Sequence, residues 1–428
     1  MIINFLLIIL LCVLLVISVK NDLKKNKFDV FEVKNWVLAI FAFFFAIKPI
    51  LFLLNNNPLI RIISRYYVGV EGERFLALSI SFAIVSIIAF LIGYNVRLCK
   101  SIALKIPCFS DKWDTHLCSL TIFLCVLTSL IALTIYFNIY TDTNIEVVSG
   151  AGKRILKKYG FISAISNLLL TISFGLWMMG KNSNRRLTSI VMIFILLAIL
   201  LGLRMGRTPI IQLFFVGIII YHYFYNYISI YKIAFIMLCL FFFGTSILYL
   251  RSPHLFNSVD TIFDMITYDQ LVSTQGLMLV IDEVPENIDY QYGKTFLDSL
   301  YIFMPRIIFP SKPEVPSVGG WFAQETFPEL RAGGFGITLT GELYLNFGFV
   351  GIMIGMFIYG MYCKIIYLYY KLHQNNRSAL LLYSFSLFWI MTLTYKYFYL
   401  YFAQYLKFML LYILVMSVIT KFTLYRKI

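Results

Sequence analysis

The chain alternates between long apolar runs and short polar breaks. Residues 2–19 are apolar as far as Lys20, and comparable runs cover 35–55, 74–95, 117–139, 161–179, 188–203, 209–229 and 232–250. A polar interval at 251–341 follows, and three more runs lie at 342–363, 379–396 and 401–420. About 20 consecutive apolar residues make a helix that crosses the hydrocarbon of a bilayer, and only helices or closed barrels satisfy their backbone there. The pattern predicts an all-α polytopic membrane protein with about 11 transmembrane helices. It divides into a bundle of about eight spans over 1–250, a large loop over 251–341 and a bundle of about three spans over 342–428. The first run has no basic start and no small-residue cleavage site after it, so it reads as a retained span and not as a signal peptide.

Composition agrees with this reading. Of 428 residues 60% are hydrophobic and only 13% charged, about half the charged fraction of a soluble domain. The mean hydropathy is +0.83. The net charge of +15 invites a nucleic-acid reading, but membrane proteins gather Lys and Arg in cytoplasmic loops, and topology accounts for it here. The seven cysteines form no CxxC pair, so neither a disulfide framework nor a zinc site is indicated. No metal or other cofactor is expected.

Charge bias also sets an orientation. The alternating set 20–34, 96–115, 180–187, 371–378 and the tail with Lys421, Arg426 and Lys427 is consistently basic, which puts it in the cytoplasm and the N-terminus outside. The loop 141–160, with Lys153, Arg154, Lys157 and Lys158, is a mild exception. The interval 251–341 then faces outward. Its eleven carboxylates against five cations leave it a formal −6, and the remainder of the chain about +21. Such a loop is too long for a plain connector. Phe296, Leu297, Leu300, Phe303 and Met304 recur at helical spacing, with Asp298 on another face, and 259–281 is also apolar-rich. Short amphipathic helices lying on the membrane surface are expected, followed by an irregular Pro/Gly-rich segment.

The chemistry-bearing residues cluster around that loop. Arg204-Met-Gly-Arg207-Thr-Pro places two guanidinium groups at an outer span end, where such a pair suits an anionic head group better than an anchor. Arg251 leaves the next span with His254 nearby. Pro305-Gly348 carries Arg306, Lys312 and Arg331, the acids Glu314, Glu325, Glu329 and Glu342, and seven glycines. Prolines 305, 310, 313 and 316 restrict the backbone that bears the cations. Glu342 opens the following span and Asn346 shares its face four residues on, so the pair can bind sugar hydroxyls or accept a proton. A first-turn acid also complements the helix dipole, which is the plain alternative. Gly351-Ile-Met-Ile-Gly355 is a helix-packing GxxxG. Lys48 and Lys396 read as snorkelling anchors.

At these residues a family resemblance appears. Pro305-Arg306-Ile-Ile-Phe-Pro-Ser-Lys312-Pro313, then Gly341-Glu342-Leu-Tyr-Leu-Asn346-Phe-Gly348 and Gly351, resembles the signature region of Wzy-type O-antigen and capsular polysaccharide repeat-unit polymerases. The segment from Arg204 to Pro209 resembles the short Arg/Gly segment before a central span in that family. The resemblance implies a GT-C-like membrane fold in the bacterial cytoplasmic membrane and a glycosyltransferase that uses no nucleotide sugar. Its donor and acceptor are polyprenyl-diphosphate-linked oligosaccharides, a chain-length regulator is a possible partner, and no nucleic acid is involved. In those terms Arg306, Glu342 and Glu325 are candidate catalytic residues. Arg204, Arg207, Arg251, Lys312, Arg331 and Asn346 are candidates for binding the diphosphate or glycan. Two other readings compete: a related ligase that moves the finished glycan to another acceptor, and a lipid-linked oligosaccharide flippase.

Overall fold

The computed structural model describes residues 2–24, 28–50, 70–142, 150–180, 208–251, 272–305, 308–313, 315–326, 336–421 and 423–425. It is a helical membrane protein. Among the described residues six helices are long and apolar enough to cross a membrane, namely Ile2–Lys20, Val33–Ile50, Gly72–Tyr94, Leu339–Leu372, Arg377–Tyr395 and Phe398–Ile419. Shorter apolar helices at Thr115–Ile131, Ile165–Met179, Ile210–Tyr225 and Ile230–Leu240 fall on four further expected spans. The expected span at 188–203 lies outside the described residues.

In chain order the helices are α1 (Ile2–Lys24), α2 (Val33–Ala42, continued by a π-helical turn, Phe43–Ile47), α3 (Val70–Tyr94), α4 (Leu98–Lys105), α5 (Thr115–Asp142), α6 (Gly150–Met179) and α7 (Thr208–Ile220). There follow α8 (Ile230–Arg251), α9 (Val272–Glu283), α10 (Lys294–Phe303), α11 (Val318–Thr326), α12 (Leu339–Leu372), α13 (Arg377–Tyr395) and α14 (Phe398–Ile419). The described strands are β1 (Cys108–Phe109) and β2 (Leu424–Tyr425), which pair antiparallel.

The breaks between helices are written locally. Asn376 caps α13, its side-chain oxygen accepting the N–H groups of Ser378 and Ala379 at 2.7 and 3.2 Å. Inside α12 the chain leaves helical geometry at Gly348, with φ 63° and ψ −153°, a conformation in which only glycine is comfortable. The segment before this break folds back on the segment after it. In an unbroken helix Leu343 and Gly351 would stand ~12 Å apart, yet a Cβ on Gly351 would meet the Leu343 carbonyl oxygen at 2.6 Å. The Leu343 side chain fills the space where Gly355 lacks one. The GxxxG pair is thus a packing surface, and its partner is the half-helix 339–347 of the same chain. The loop boundary expected at 341 falls inside that half-helix.

Glycine also joins α3 to α12. Gly93 lies against the Phe357 carbonyl and Gly360 against the Phe90 carbonyl, so the two backbones approach as only small residues permit.

One end of the bundle is laced by ion pairs. Lys371 meets Asp29 at 3.0 Å, Arg377 meets Asp111 at 3.1 Å and Lys421 meets Asp114 at 2.8 Å. Arg377 also reaches the Met179 carbonyl at 3.2 Å. The described parts of the basic set 20–34, 96–115, 371–378 and the tail therefore meet at one end, as the alternation of spans requires.

The interval 251–341 differs from expectation in one respect. The helix α9 does not lie on a surface. Leu277, Leu279 and Val280 are fully buried, Gly276 abuts the Gly336 carbonyl, and the Thr274 hydroxyl binds the Phe44 carbonyl of the π-helical turn. The apolar residues 277–280 are all buried, which periodicity alone does not separate from an amphipathic surface helix. Leu279 and Val280 join Val284, Val318, Phe322, Ile337, Leu345 and Tyr399 in a second hydrophobic core, while Leu277 and Met278 belong to the core of the bundle.

Candidate functional site at a broken helix

The half-helix 339–347 delivers Glu342 and Asn346 to one side, one turn apart, and both are fully buried. Buried polar groups must find partners, and here three elements supply them. From α10, the Thr295 hydroxyl donates to Glu342 Oε1 at 2.8 Å. From the first turn of α14, the Phe398 N–H donates to Glu342 Oε2 at 2.6 Å. Tyr397, at the N-cap position, makes no side-chain cap, so the carboxylate takes its place from another helix.

Asn346 completes the knot. Its Nδ2 donates to Thr295 Oγ1 and to the Glu342 carbonyl, each at 2.7 Å, and its Oδ1 accepts the Gly293 N–H at 2.9 Å. Gly293 has φ +88° and precedes α10, so this contact fixes where α10 begins. The N–H groups of Gln291 and Tyr292 bind the carbonyls of Leu345 and Asn346 at 3.0 and 3.1 Å. Those carbonyls are free to accept because the helix stops at Gly348.

Asp298 lies three residues beyond Thr295, half-buried and within electrostatic range of Glu342. Burial raises its pKa, and Lys294 offsets part of the rise. The site thus holds one carboxylate saturated by donors and one that remains partly open. Proton transfer to a substrate needs the second kind.

Other sequence candidates are placed as follows. Glu325 is exposed on α11. Lys312 donates to the carbonyls of Tyr301 and Met304 at 2.9 and 2.8 Å, closing the C-terminus of α10. It also stands close enough to the buried Lys407 of α14 for the two cations to repel. Arg251 is the last residue of α8. Arg204, Arg207, Arg306, Arg331, Glu314, Glu329 and His254 lie outside the described residues. The structure therefore joins Glu342 with Asn346. It adds Thr295, Gly293 and Asp298, which the sequence reading did not assign to the site. A Gly-Lys-Thr at the start of an amphipathic helix was the available signal for Thr295.

Among the described residues no group of His, Cys, Asp and Glu is arranged to hold a metal ion. Compared with known protein families, curated proteins and solved structures, the chain matches none.

Proposed function

We propose that this protein is a polysaccharide repeat-unit polymerase, a glycosyltransferase that moves a growing polyprenyl-diphosphate-linked glycan onto a fresh lipid-linked repeat unit. The observation that carries the reading is the site at Gly341–Gly348. Glu342 and Asn346, in the stretch that resembles the polymerase signature, are buried against the Thr295 hydroxyl of α10 with Asp298 within electrostatic range, at the other end of α12 from the Lys371 ion pair.

In this reaction an acceptor hydroxyl oxygen bonds to the donor's anomeric carbon. The bond from that carbon to the diphosphate oxygen breaks, and polyprenyl diphosphate leaves with the electron pair. The hydroxyl proton passes to a carboxylate, for which Asp298 is the accessible candidate. Glu342, Thr295 and Asn346 hold α10 and the start of α14 in register. The leaving diphosphate needs fixed cations, the role proposed for Arg306 together with Arg204, Arg207, Arg251, Lys312 and Arg331. On this reading the site lies on the outer face of the bacterial cytoplasmic membrane and the C-terminus in the cytoplasm.

A second reading has its own support. Interrupted helices such as α12 recur at the substrate sites of transporters, which favours a flippase for the same class of lipid-linked glycan. Deletion of the gene separates the cases. Loss of a polymerase leaves single repeats on the final acceptor. Loss of a ligase leaves none attached although polymer accumulates on the lipid, and loss of a flippase leaves unpolymerised lipid-linked repeats inside the cell. Long chains at normal levels in the deletion strain overturn all three.

A further inference from the structure

Beyond α7 the helix widens into a π-helical turn, Tyr221–Tyr225, and stops at Asn226, whose backbone is extended (φ −145°, ψ 139°). The chain then turns into α8, and two contacts pin the turn. The Ile228 N–H donates to His222 Nδ1 at 3.1 Å, and the Tyr225 hydroxyl donates to the Met178 carbonyl near the end of α6. Between α6, α7 and the start of α8 lies an open cavity of about 630 Å³. Its walls are apolar, with Phe174 and Met178 from α6, Phe214 and Ile218 from α7 and Ile236 from α8. Gly217 keeps the space clear, since a Cβ there would already stand 3.1 Å from the Phe174 ring. Along α7 the lining runs from Leu213, which is buried, to Tyr221, which is exposed, a length of ~12 Å. The polar lining gathers at the turn, where Tyr221, Asn226, Tyr227 and Lys232 are all exposed. The cavity therefore has an apolar depth and a polar mouth. That mouth lies at the end laced by ion pairs, because Met179, next to the lining Met178, accepts from Arg377 at 3.2 Å.

We propose that this cavity binds one anionic phospholipid, with an acyl chain between α6, α7 and α8 and the lipid phosphate at Lys232. The proposal goes beyond the transferase reading and does not depend on it. A void so large and so apolar is no place for water, and its size and lining are those of a small-molecule pocket. A free phosphate would have no use for the apolar walls, and a glycan would find hydrogen-bonding groups only at the rim. An amphiphile with a hydrocarbon tail and an anionic head meets both halves. Charge selects the head. Lys232 is the cation of the lining and no carboxylate belongs to it, so a zwitterionic head would leave its ammonium unmatched. Among the described residues Lys232 forms no ion pair. It also stands in the first turn of α8, where the helix dipole favours an anion and gives a cation nothing. A snorkelling lysine above an incidental gap is the competing account. That account predicts no preference among head groups and no dependence on the space beneath.

The test uses the full chain in detergent micelles, with native mass spectrometry reporting the lipid retained. The probes are phosphatidylglycerol, phosphatidylcholine with the same acyl chains, and glycerol phosphate, which is the head without the chains. The wild type is expected to hold phosphatidylglycerol about tenfold more tightly than phosphatidylcholine, and glycerol phosphate should not displace it. Lys232→Gln should erase that preference, the loss of one charge-assisted contact. Ile218→Trp, which fills the space for the chain, should weaken both lipids, and Ile236→Phe serves in its place if that variant does not fold. Equal binding of the two lipids by the wild type reduces the cavity to a gap that any hydrocarbon fills and overturns the proposal. So does wild-type binding of phosphatidylglycerol by folded Lys232→Gln or by a folded cavity-filling variant. Displacement by glycerol phosphate assigns Lys232 to a soluble anion, and a dimer that Ile218→Trp abolishes assigns the cavity to a second copy of the chain. Either result overturns the lipid site as well.

Discussion

Glu342 reaches across 56 positions of chain to take the backbone N–H of Phe398 at 2.6 Å, while its other oxygen takes the Thr295 hydroxyl at 2.8 Å. One carboxylate thus joins the half-helix of α12, the start of α14 and the first turn of α10. Replacing it with Gln keeps one acceptor oxygen and turns the other into a donor that faces an N–H or a hydroxyl. Glu342→Gln should destabilise the protein by roughly 1–3 kcal/mol, and Glu342→Ala by more, because it strands two buried donors. Thermal unfolding in detergent checks both. An unchanged midpoint for the alanine variant contradicts the structural role.

Gly348 holds φ 63° and ψ −153°, and a Cβ there would meet the Tyr290 hydroxyl at 3.0 Å. Gly348→Ala should therefore cost about 1–3 kcal/mol from backbone strain. Tyr290→Phe removes the crowding hydroxyl but not the strain. The double variant should stay close to Gly348→Ala in unfolding midpoint, and full recovery would assign the cost to the contact instead.

Asp298 is the carboxylate proposed to receive the acceptor's proton. Asp298→Asn should abolish transfer while leaving the fold and lipid binding intact. Burial raises its pKa, so the base form is lost on acidification at a pH above the ordinary value for Asp. Activity should rise with pH through that raised value and then level off. A pH profile in a reconstituted transfer assay reports it, and activity that persists down to pH ~4, the ordinary value for Asp, removes Asp298 from the mechanism.

At the opposite end Asp114 is held down to about 2 by the Lys421 ammonium and by the N–H groups of Leu117 and His116. A carboxyl whose folded pKa lies below its unfolded one, near ~4, stabilises the fold above that value. The contribution fades as the pH falls from ~4 toward the folded value. Asp114→Asn should thus flatten the acid limb of stability in that window and leave its slope near neutrality alone. Unfolding midpoints measured down the acid range decide the point, since an unaltered acid limb means the pair contributes nothing.

Arg306 is expected to grip the leaving diphosphate. Arg306→Ala should abolish polymer with the protein still in the membrane, and Arg306→Lys should recover little, because the bidentate fork is lost. Immunoblotting of membranes alongside glycan gels makes the comparison. Normal chain length in either variant speaks against the clamp.

Much of the fold was legible because hydrocarbon imposes a simple rule on sequence. The apolar runs marked ten of the described helices, and counting Lys and Arg grouped the segments 20–34, 96–115, 371–378 and the tail at one end before any distance was known. Asn346 was legible as the neighbour of Glu342, since a spacing of four on a helix is local information. Thr295 and Phe398 were not, because their meeting with Glu342 depends on how three distant segments pack. The half-helix was missed for a related reason. Gly348 looks like any other glycine in an apolar run until Leu343 is found against Gly351. Lys48 followed the general habit of membrane lysines in the sequence reading, and only the enclosing rings of Phe43 and Phe44 set it apart.

The helix α10 is turned inside out relative to a soluble amphipathic helix. Thr295 and Ser299 face the protein, while Leu297 and Leu300 are 61% and 54% exposed and Ile308 beyond them 71%. Polar contacts hold it from within, and hydrocarbon is the only solvent that favours its outer side. On the proposed placement against the bilayer, lipid thickness would become a variable of the site. A bilayer too thin to cover Leu297, Leu300 and Ile308 draws the helix toward a new tilt, and Thr295 and Asp298 travel with it. On the proposed placement of this helix against the bilayer, membrane composition would then act on the spacing of the two carboxylates, with no ligand bound and no residue changed.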